Sequence, residues 1–224
     1  MHKGLFITGT DTGCGKTEVT LGLMHALQQR GETVVGMKPV ASGAQPTAEG
    51  LRNEDALRIQ RQGSREIPYA QVNPFVYEPP VAPHLAAEMS GLPIDPQLVR
   101  EGFESLCGQA DRVVVEGVGG WLVPLGSTLT VADLAVRLQL PVILVVGLRL
   151  GCINHALLSA AGIRQSGARL LGWIGNQVEP AMAAREGNLR TLREMIAAPC
   201  LGVVPWMESP TAAEVAVHLD MSGL

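Results

Sequence analysis

Short runs of apolar, often β-branched residues alternate along the chain with stretches whose apolar residues recur every three or four positions. The first pattern predicts buried strands and the second predicts amphipathic helices. The predicted strands cover residues 5–8, 33–37, 112–116, 141–146, 170–174 and 201–204. The predicted helices cover 16–30, 54–62, 84–89, 95–106, a segment that begins after Thr130, 153–165, 184–196 and a short C-terminal stretch at 212–219.

Local signals predict where several of these elements begin or end. Gly31 follows the first helix as a C-terminal glycine, and Pro39 ends the second strand because it cannot donate to a sheet. Asn53 is a suitable N-cap, and Thr130 with Asp133 three residues later is typical of a capping box. By contrast, residues 64–83 contain five prolines and predict a long irregular excursion.

Strands that are apolar throughout and alternate with helices predict a mostly parallel sheet covered by helices on both faces. The chain shows neither an internal repeat nor a linker, so residues 1–224 are predicted to form a single α/β domain. Ligands of such folds bind at the C-terminal ends of the strands. The polar residues considered next lie at or just after such ends.

A glycine-rich loop joins the first strand to the first helix and has the pattern of a phosphate-binding P-loop. Its core is Gly13-Cys14-Gly15-Lys16-Thr17, although Gly9 precedes the usual position of the first glycine by one residue. Backbone N–H groups of such a loop and the helix N-terminus favour an anion. Lys16 suits the β- and γ-phosphates of a nucleotide, and the Thr17 hydroxyl suits Mg²⁺. The loop indicates a P-loop NTPase-like fold.

Two acids and a second lysine stand near predicted strand ends or helix starts. Glu116 ends a buried strand, where P-loop proteins often place a carboxylate near Mg²⁺, although a solvated strand-end residue is the alternative. Asp55 is either a second metal-facing acid or a carboxylate that stabilises the helix dipole. Lys38 follows the second strand and either contributes a point charge to the site or is an exposed lysine. Gly117 and Gly119 permit a close backbone approach to a ligand.

Composition and charge exclude several classes of protein. The 17 basic and 21 acidic residues give a net charge of -4 without a basic cluster, which argues against a nucleic-acid partner. No apolar run approaches the roughly 18 residues of a membrane span, and the first residues do not resemble a signal peptide. The four cysteines are widely spaced without a CxxC pair, so we expect packing residues of a cytoplasmic protein. Only three of the 17 basic residues are lysines.

Several blocks of sequence, in the same order, resemble the dethiobiotin synthetase family over nearly the whole chain. The blocks are 9–17, 38–43, 50–56, 72–74, 115–121, 150–155 and 202–206. The resemblance implies a homodimeric, cytoplasmic, ATP- and Mg²⁺-dependent ligase of biotin biosynthesis with its active sites at the subunit interface. Such an enzyme joins CO₂ to 7,8-diaminononanoate through a carbamate and a carbamic–phosphoric anhydride. Its products are dethiobiotin, ADP and phosphate.

The resemblance also implies roles for individual residues. Lys16, Lys38 and Glu116 are the implied catalytic residues, and Thr17, Asp55 and Glu116 are the implied metal ligands. The implied nucleotide contacts are Gly13, Cys14, Gly15, Lys16, Thr17, Glu18, Asp55, Glu116, Gly117, Val118, Gly119, Asn176, Gln177, Pro205, Trp206 and Met207. The implied substrate contacts are Thr12, Lys38 and Ser42, with Gly151, Cys152, Ile153 and Asn154 of a partner subunit. An acid beyond Met207 is also expected to contact the nucleotide, but the sequence does not say which.

The sequence argues against two alternatives and leaves a third open. A corrinoid-modifying P-loop amidotransferase normally carries a glutamine-hydrolysing domain, for which 224 residues leave no room. A regulatory P-loop ATPase often has a lysine near the start of the loop, where this chain has Thr10 and Asp11. A related enzyme with a different substrate is the third alternative.

Overall fold

The computed structural model describes residues 3–223, which form ten strands and nine helices. The strands are β1 (Gly4–Gly9), β2 (Val34–Met37), β3 (Val40–Ala41), β4 (Gln45–Thr47), β5 (Gly50–Arg52), β6 (Phe75–Val76), β7 (Arg112–Gly120), β8 (Val142–Leu148), β9 (Leu170–Gln177) and β10 (Cys200–Val204). The helices are α1 (Lys16–Gln29), α2 (Glu54–Gln62), α3 (Tyr69–Val72), α4 (Pro83–Ser90), α5 (Pro96–Cys107), α6 (Val131–Arg137), α7 (Cys152–Gln165), α8 (Arg185–Met195) and α9 (Ala212–Ala216).

Six strands form one sheet in the order β10-β9-β8-β1-β7-β2, and every neighbouring pair is parallel. All residues of β1 and β8 are buried, as expected for strands covered on both faces. The sequence prediction of a parallel α/β fold is therefore confirmed. Because β1 lies between β7 and β8, the segment after β1 leaves the sheet at its centre. The register sets Ile7 of β1 opposite Glu116 of β7. Glu116 therefore lies near the C-terminal end of β1, where the segment after β1 begins.

The proline-rich excursion is more ordered than the sequence prediction of an irregular segment. It contains α3 and β6, and β6 pairs in parallel with β3 next to the end of β2. The buried amide of Asn73 donates to the carbonyl oxygen of Lys38 at 2.7 Å, which ties the excursion to the segment after β2. Prolines break the apolar periodicity there, so the sequence pattern misses these short elements.

A second small feature absent from the prediction is the antiparallel hairpin of β4 and β5. The residues of β4 are all exposed, so the alternation of apolar and polar positions that predicts a strand is missing. Gly50 has φ +102°, a backbone conformation that favours glycine at the turn. The hairpin lies between Ser42 and Asn53 and fills the connection from β3 to α2.

The predicted caps are confirmed. Asn53 Oδ1 accepts from the Ala56 N–H at 3.2 Å, and Thr130 and Asp133 form a reciprocal capping box at the start of α6. Gly31 follows α1 with φ +84°. The longest helices, α1 and α7, have 14 residues each. In the span from residue 3 to residue 223, none of the helices could cross a membrane.

Candidate active site

The glycine-rich loop between β1 and α1 is shaped by two left-handed glycines. Gly13 has φ +79° and Gly15 has φ +88°. A Cβ atom on Gly15 would lie 2.0 Å from the Asn176 side-chain nitrogen, so a larger residue is excluded by contact as well as by backbone conformation. Asn176 is the penultimate residue of β9 and donates to the Cys14 carbonyl oxygen at 3.1 Å. The amide therefore holds the loop from the neighbouring strand.

Lys16 begins α1 and is only 7% exposed. Its Nζ donates to the Asp11 carbonyl oxygen at 3.0 Å, so the side chain folds back over the loop that precedes it. The free N–H groups of the first helical turn and this ammonium lie on the same short segment. Together they make the loop a site for an anion with several oxygens, such as the phosphates of a nucleotide.

The side chain of Cys14 explains why residue 9 is a glycine. Cys14 is fully buried, and a Cβ on Gly9 would lie 2.4 Å from its Sγ. A Cβ on Gly147 of β8 would also lie 3.0 Å from the Cys14 Cβ. The thiol thus packs between two strand ends, as expected of a small packing residue. All four cysteines are free.

A buried lysine joins the two acids that the sequence singles out. Lys38 Nζ lies 2.6 Å from Glu116 Oε1 and 2.8 Å from Asp55 Oδ2. Glu116 is 0% exposed and Lys38 is 5% exposed, whereas the Asp55 side chain is 43% exposed. One ammonium therefore bridges a carboxylate in the interior and a carboxylate at the surface.

Burial and charge act in opposite directions on this group. Burial disfavours the ammonium form of Lys38, but Glu116 and Asp55 outweigh it and raise the pKa of Lys38 above its usual value. Partial burial favours the neutral form of Asp55, but the Lys38 ammonium outweighs it and holds the pKa of Asp55 below its usual range. Lys38 and Asp55 are therefore both charged at neutral pH.

The same cluster has the donor set of a magnesium site. Thr17 Oγ1 donates to Glu116 Oε1 at 2.9 Å, which places the hydroxyl beside both acids. Glu116 Oε2 is buried and has no hydrogen-bond partner among the described residues. Mg²⁺ usually takes one or two carboxylates together with waters and substrate phosphates. Within residues 3–223, no group of three or more His, Cys, Asp and Glu side chains could hold a metal ion.

A cleft of about 730 Å³ opens over the loop and the charged cluster. Its walls include Thr12, Gly13, Gly15, Lys16, Thr17, Glu18, Lys38, Ser42, Asn53, Asp55, Arg58, Pro80, Val81, Glu116, Val118 and Gly119. A second cavity of about 230 Å³ adjoins it. Gly13, Gly15 and Glu18 line both cavities, and the second is completed by Asn176, Gln177, Val178, Val204, Pro205, Trp206, Met207, Glu208 and Pro210.

The structure thus brings most of the sequence-predicted site residues to one edge of the sheet, in two adjoining cavities. Cys14 and Gly117 are different, because neither residue lines a cavity. Cys14 is fully buried, and a Cβ on Gly117 would meet the Phe6 ring at 3.1 Å. The segment 151–154 also lines neither cavity. It forms the N-terminus of α7, where Gly151 has φ +94° and Leu150 beside it is 98% exposed.

The structure indicates which of the acids beyond Met207 lies at the second cavity. Glu208 lines the second cavity, whereas the Glu214 carboxylate accepts hydrogen bonds from the Thr211 backbone and hydroxyl in the capping box of α9. Those hydrogen bonds lower the pKa of Glu214, with the backbone bond as the larger cause. Glu208 is therefore the acid of this stretch that faces the cavity.

Two groups of residues in the site escaped the sequence prediction. Arg58 of α2 lines the cleft and forms an ion pair with Glu18, and residues 80–83 also line the cleft. The spacing of Arg58 three residues after Asp55 places both on one face of α2, which is a signal that the sequence offered. The prolines among residues 80–83 give no comparable signal, because their position depends on the path of the proline-rich excursion.

Another polar cluster lies at the start of the loop. The Asp11 carboxylate accepts from the Thr10 hydroxyl at 2.9 Å and from the Arg149 guanidinium, and His155 Nδ1 is 3.8 Å away. Arg149 and His155 flank the N-terminus of α7. The start of the phosphate loop and the start of α7 are therefore connected through a single carboxylate.

Comparisons with known proteins agree with this architecture. The sequence model of a protein family described as "AAA domain" matches residues 3–214. The chain is 52% identical over 220 residues to the ATP-dependent dethiobiotin synthetase BioD of Pseudomonas aeruginosa (strain UCBPP-PA14), covering 98% of this chain and 96% of that protein. It is 48% identical over 225 residues to the ATP-dependent dethiobiotin synthetase BioD 1 of Salmonella typhi, covering 100% of this chain and 99% of that protein.

Solved structures with the same fold are more distant in sequence. The septum site-determining protein MinD of Pyrococcus horikoshii, complexed with Mg-ADP, has a TM-score of 0.55 at 19% identity and covers 92% of this chain and 82% of its own. A ParA family ATPase from Chlorobium tepidum has a TM-score of 0.59 at 11% identity, covering 98% and 91%. These two likenesses concern the fold alone. The sequence matches go further, and the chain belongs to the matched AAA-domain family and to the ATP-dependent dethiobiotin synthetase family.

Proposed function

We propose that the protein is an ATP-dependent dethiobiotin synthetase, a ligase of biotin biosynthesis that closes a ureido ring from 7,8-diaminononanoate and CO₂. Family membership supports this activity. The observation that carries the chemistry is the position of Lys38, whose ammonium lies at the wall of the cleft that also contains Lys16. The alternative of a regulatory ATPase rests on the fold alone and gives Lys38 no role in the chemistry.

The reaction proceeds in three steps. One amine of the substrate attacks CO₂ and loses a proton, which gives a carbamate. A carbamate oxygen then attacks the γ-phosphorus of ATP and ADP leaves, so that a mixed carbamic–phosphoric anhydride forms. The second amine attacks the carbonyl carbon of the anhydride, loses a proton and expels phosphate, and the five-membered ureido ring closes.

The cations of the cleft suit the second step, which brings two anions together. Preorganised positive charge in a partly dehydrated cleft stabilises developing negative charge without reorganisation during the reaction. We assign Lys16 to the β- and γ-phosphates, and Lys38 to the carbamate and the transferred phosphoryl group. Thr12 and Ser42 line the same cleft and are assigned to the diamine and its carbamate. Holding the reactants in line supplies a further part of the acceleration.

Thr17, Asp55 and Glu116 would hold Mg²⁺, and the buried oxygen of Glu116 without a partner supports this assignment. When bound, the ion would neutralise charge on the phosphates of ATP. Asp55 and Glu116 have a second task in our proposal, because they hold Lys38 in its charged form within the cleft.

We assign the smaller cavity to the adenine base. Asn176 and Gln177 line it from the end of β9, and the segment from Pro205 to Met207 lines it just after β10. The Gln177 side chain donates to the Glu179 and Pro180 carbonyl oxygens at 3.0 and 3.2 Å, which holds this residue in place. Trp206 is partly exposed and offers a flat apolar surface to a base.

A homodimer is the second part of the proposal. The N-terminus of α7 at residues 151–154 offers free N–H groups to a carboxylate but lies outside the cleft of its own chain. In a dimer the partner's copy of this segment can reach the cleft. Leu122 and Leu158 are exposed and line one groove, and Leu150 is exposed just before the start of α7. Such an apolar surface is typical of an interface.

The test of the activity is an assay of the purified protein with ATP, Mg²⁺, bicarbonate and 7,8-diaminononanoate. We expect ATP-dependent formation of dethiobiotin, measured by mass spectrometry, together with one ADP for each dethiobiotin. A matched reaction without the diamine should give little ADP. Folded protein that binds ATP but forms no dethiobiotin would show that the substrate proposal is wrong.

Light scattering tests the dimer. A species of 23.7 kDa at assay concentration would contradict the shared site. Replacing Leu158 with Glu should shift a dimer to the monomer and reduce turnover, because a charge would be buried at the interface.

We also place the enzyme in the cytoplasm, where its four free cysteines stay reduced.

A further inference from the structure

An ion pair between the first turn of α1 and the middle of α2 stands at the mouth of the cleft. Arg58 Nη1 donates to Glu18 Oε1 at 2.6 Å, and Arg58 Nη2 donates to Glu18 Oε2 at 2.7 Å. Two parallel bonds of this kind fix the carboxylate in both position and orientation. The pair is neither fully buried nor free, since both side chains are roughly one-quarter to one-third exposed.

Glu18 stands where the two cavities meet. The residues that line both cavities are Gly13, Gly15 and Glu18. Two of the three are glycines, so the carboxylate of Glu18 is the side-chain group at this junction. A nucleotide with its phosphates on the loop and its base in the smaller cavity must place its ribose at the same junction.

A carboxylate in this position matches the chemistry of a ribose. An ionised carboxylate is an acceptor with about four lone-pair sites, and the two bonds from Arg58 leave sites on both oxygens. The 2′- and 3′-hydroxyls of ribose are donors that can use them. A carboxylate close to a triphosphate is unfavourable by itself because like charges repel. Arg58 removes this penalty, since the pair as a whole carries no net charge.

We propose that Glu18 is the ribose-recognising residue of this enzyme and that Arg58 is its positioning partner, so that the pair selects ribonucleotides over deoxyribonucleotides. This inference rests on the proposed ATP-dependent function. Glu18 acts by accepting hydrogen bonds from the ribose hydroxyls. Arg58 acts through Glu18, by holding the carboxylate toward the ribose and by cancelling its charge beside the phosphates.

Isothermal titration of the full-length protein with ATP, 2′-deoxy-ATP and 3′-deoxy-ATP in the presence of Mg²⁺ tests the proposal. We expect ATP to bind at least about tenfold more tightly than one or both deoxy analogues, as one hydrogen bond to a charged acceptor requires. In Glu18→Ala the ratio should fall to near unity, because ATP loses two hydroxyl contacts with the carboxylate and each deoxy analogue loses at most one. In Arg58→Met all three nucleotides should bind more weakly, because the carboxylate is left uncompensated.

Two further variants separate recognition from stability. The double variant Glu18→Ala/Arg58→Met should bind the nucleotides more tightly than Arg58→Met, because it removes the uncompensated charge. Arg61→Met breaks an exposed pair on the same helix, with Glu54, and lies outside both cavities. It should leave all three affinities unchanged.

The results distinguish this inference from the proposed function. If Glu18→Ala retains the wild-type ratio of affinities, Glu18 does not recognise the ribose and the inference fails, even in an enzyme that forms dethiobiotin. If the wild-type protein binds none of the three nucleotides, the ATP-dependent function itself is wrong. A loss of affinity in Arg58→Met that the double variant does not relieve would contradict the role given to Arg58.

Discussion

Replacing Lys38 with Met tests whether the buried charge cluster stabilises the fold. Methionine keeps an unbranched apolar side chain of similar length but removes the ammonium. Glu116 is 0% exposed, and in the variant its carboxylate retains the Thr17 hydroxyl at 2.9 Å as a hydrogen-bond donor but has no cation. We therefore expect a large loss of stability in the protein without ligands.

The size of the stability loss in Lys38→Met follows from how deeply each of the two acids is buried. Removing one partner of a buried ion pair costs about 3–5 kcal/mol, because the remaining charge stays uncompensated in the interior. The bond to Asp55 contributes little, since this carboxylate is 43% exposed and water replaces the ammonium at a cost below about 1 kcal/mol. Loss of the Glu116 pair therefore dominates, and we expect about 3–5 kcal/mol for Lys38→Met.

Urea unfolding, followed by circular dichroism and by the fluorescence of the buried Trp121 and Trp173, measures this loss. The double variant Lys38→Met/Glu116→Gln should recover a large part of it, because no unpaired charge remains. Arg61→Met is the matched control at an exposed pair and should change the stability by less than about 0.5 kcal/mol. If Lys38→Met costs less than about 1 kcal/mol, burial of Glu116 does not determine the energetics of the cluster.

Three further predictions concern activity, pH and helix capping. Lys38→Arg should keep the fold but lose most dethiobiotin formation, because a planar guanidinium does not replace a point charge; near-normal turnover would contradict the role of Lys38. Burial raises the pKa of Tyr77 to about 12, so its neutral phenol contributes stability that is present below pH about 10 and is lost as the pH rises toward 12. The stability advantage of wild type over Tyr77→Phe should therefore shrink by about 1.4 kcal/mol between pH about 9 and about 11, and a constant difference would contradict this. Thr130→Ala removes the capping box of α6 and should cost about 1 kcal/mol in urea unfolding, while an unchanged midpoint would show that the cap is dispensable.

The central sheet and its helices could be predicted because each element carries its own periodic signal. The strand predicted at 112–116 continues to Gly120 in the structure, and β1 and β7 remain paired at Gly9 and Gly120. Glycines have no side chain to contribute to an apolar pattern, so the strand predicted from that pattern ends too early. The hairpin of β4 and β5 was missed for a related reason, since its residues are exposed or half-exposed.

The sequence predicts which residues belong to the candidate site, but it does not predict the contacts between them. The P-loop spacing and the strand-end position of Glu116 point to a phosphate and metal site, and the structure brings Thr17 and Glu116 within hydrogen-bond distance. The contact of Lys38 with both acids depends on the order of β1, β7 and β2 in the sheet, which local pattern does not contain. The pairing of Glu18 with Arg58 likewise depends on how α1 and α2 pack.

The distribution of lysine and arginine in the chain follows from the geometry of the cluster. The same nitrogen of Lys38 contacts a carboxylate oxygen on either side, at 2.6 and 2.8 Å, in a space where both Lys38 and Glu116 are buried. A guanidinium would direct its hydrogen bonds from separate nitrogens in one plane, so it would not contact both acids through a single atom. Arginine instead forms the ion pairs nearer the surface, such as the fork with Glu18. A compact, rotatable ammonium can also turn from its acids toward a carbamate without leaving its place, which a bidentate guanidinium cannot. The two buried lysines of this arginine-rich chain therefore stand where the proposed reaction requires a point charge.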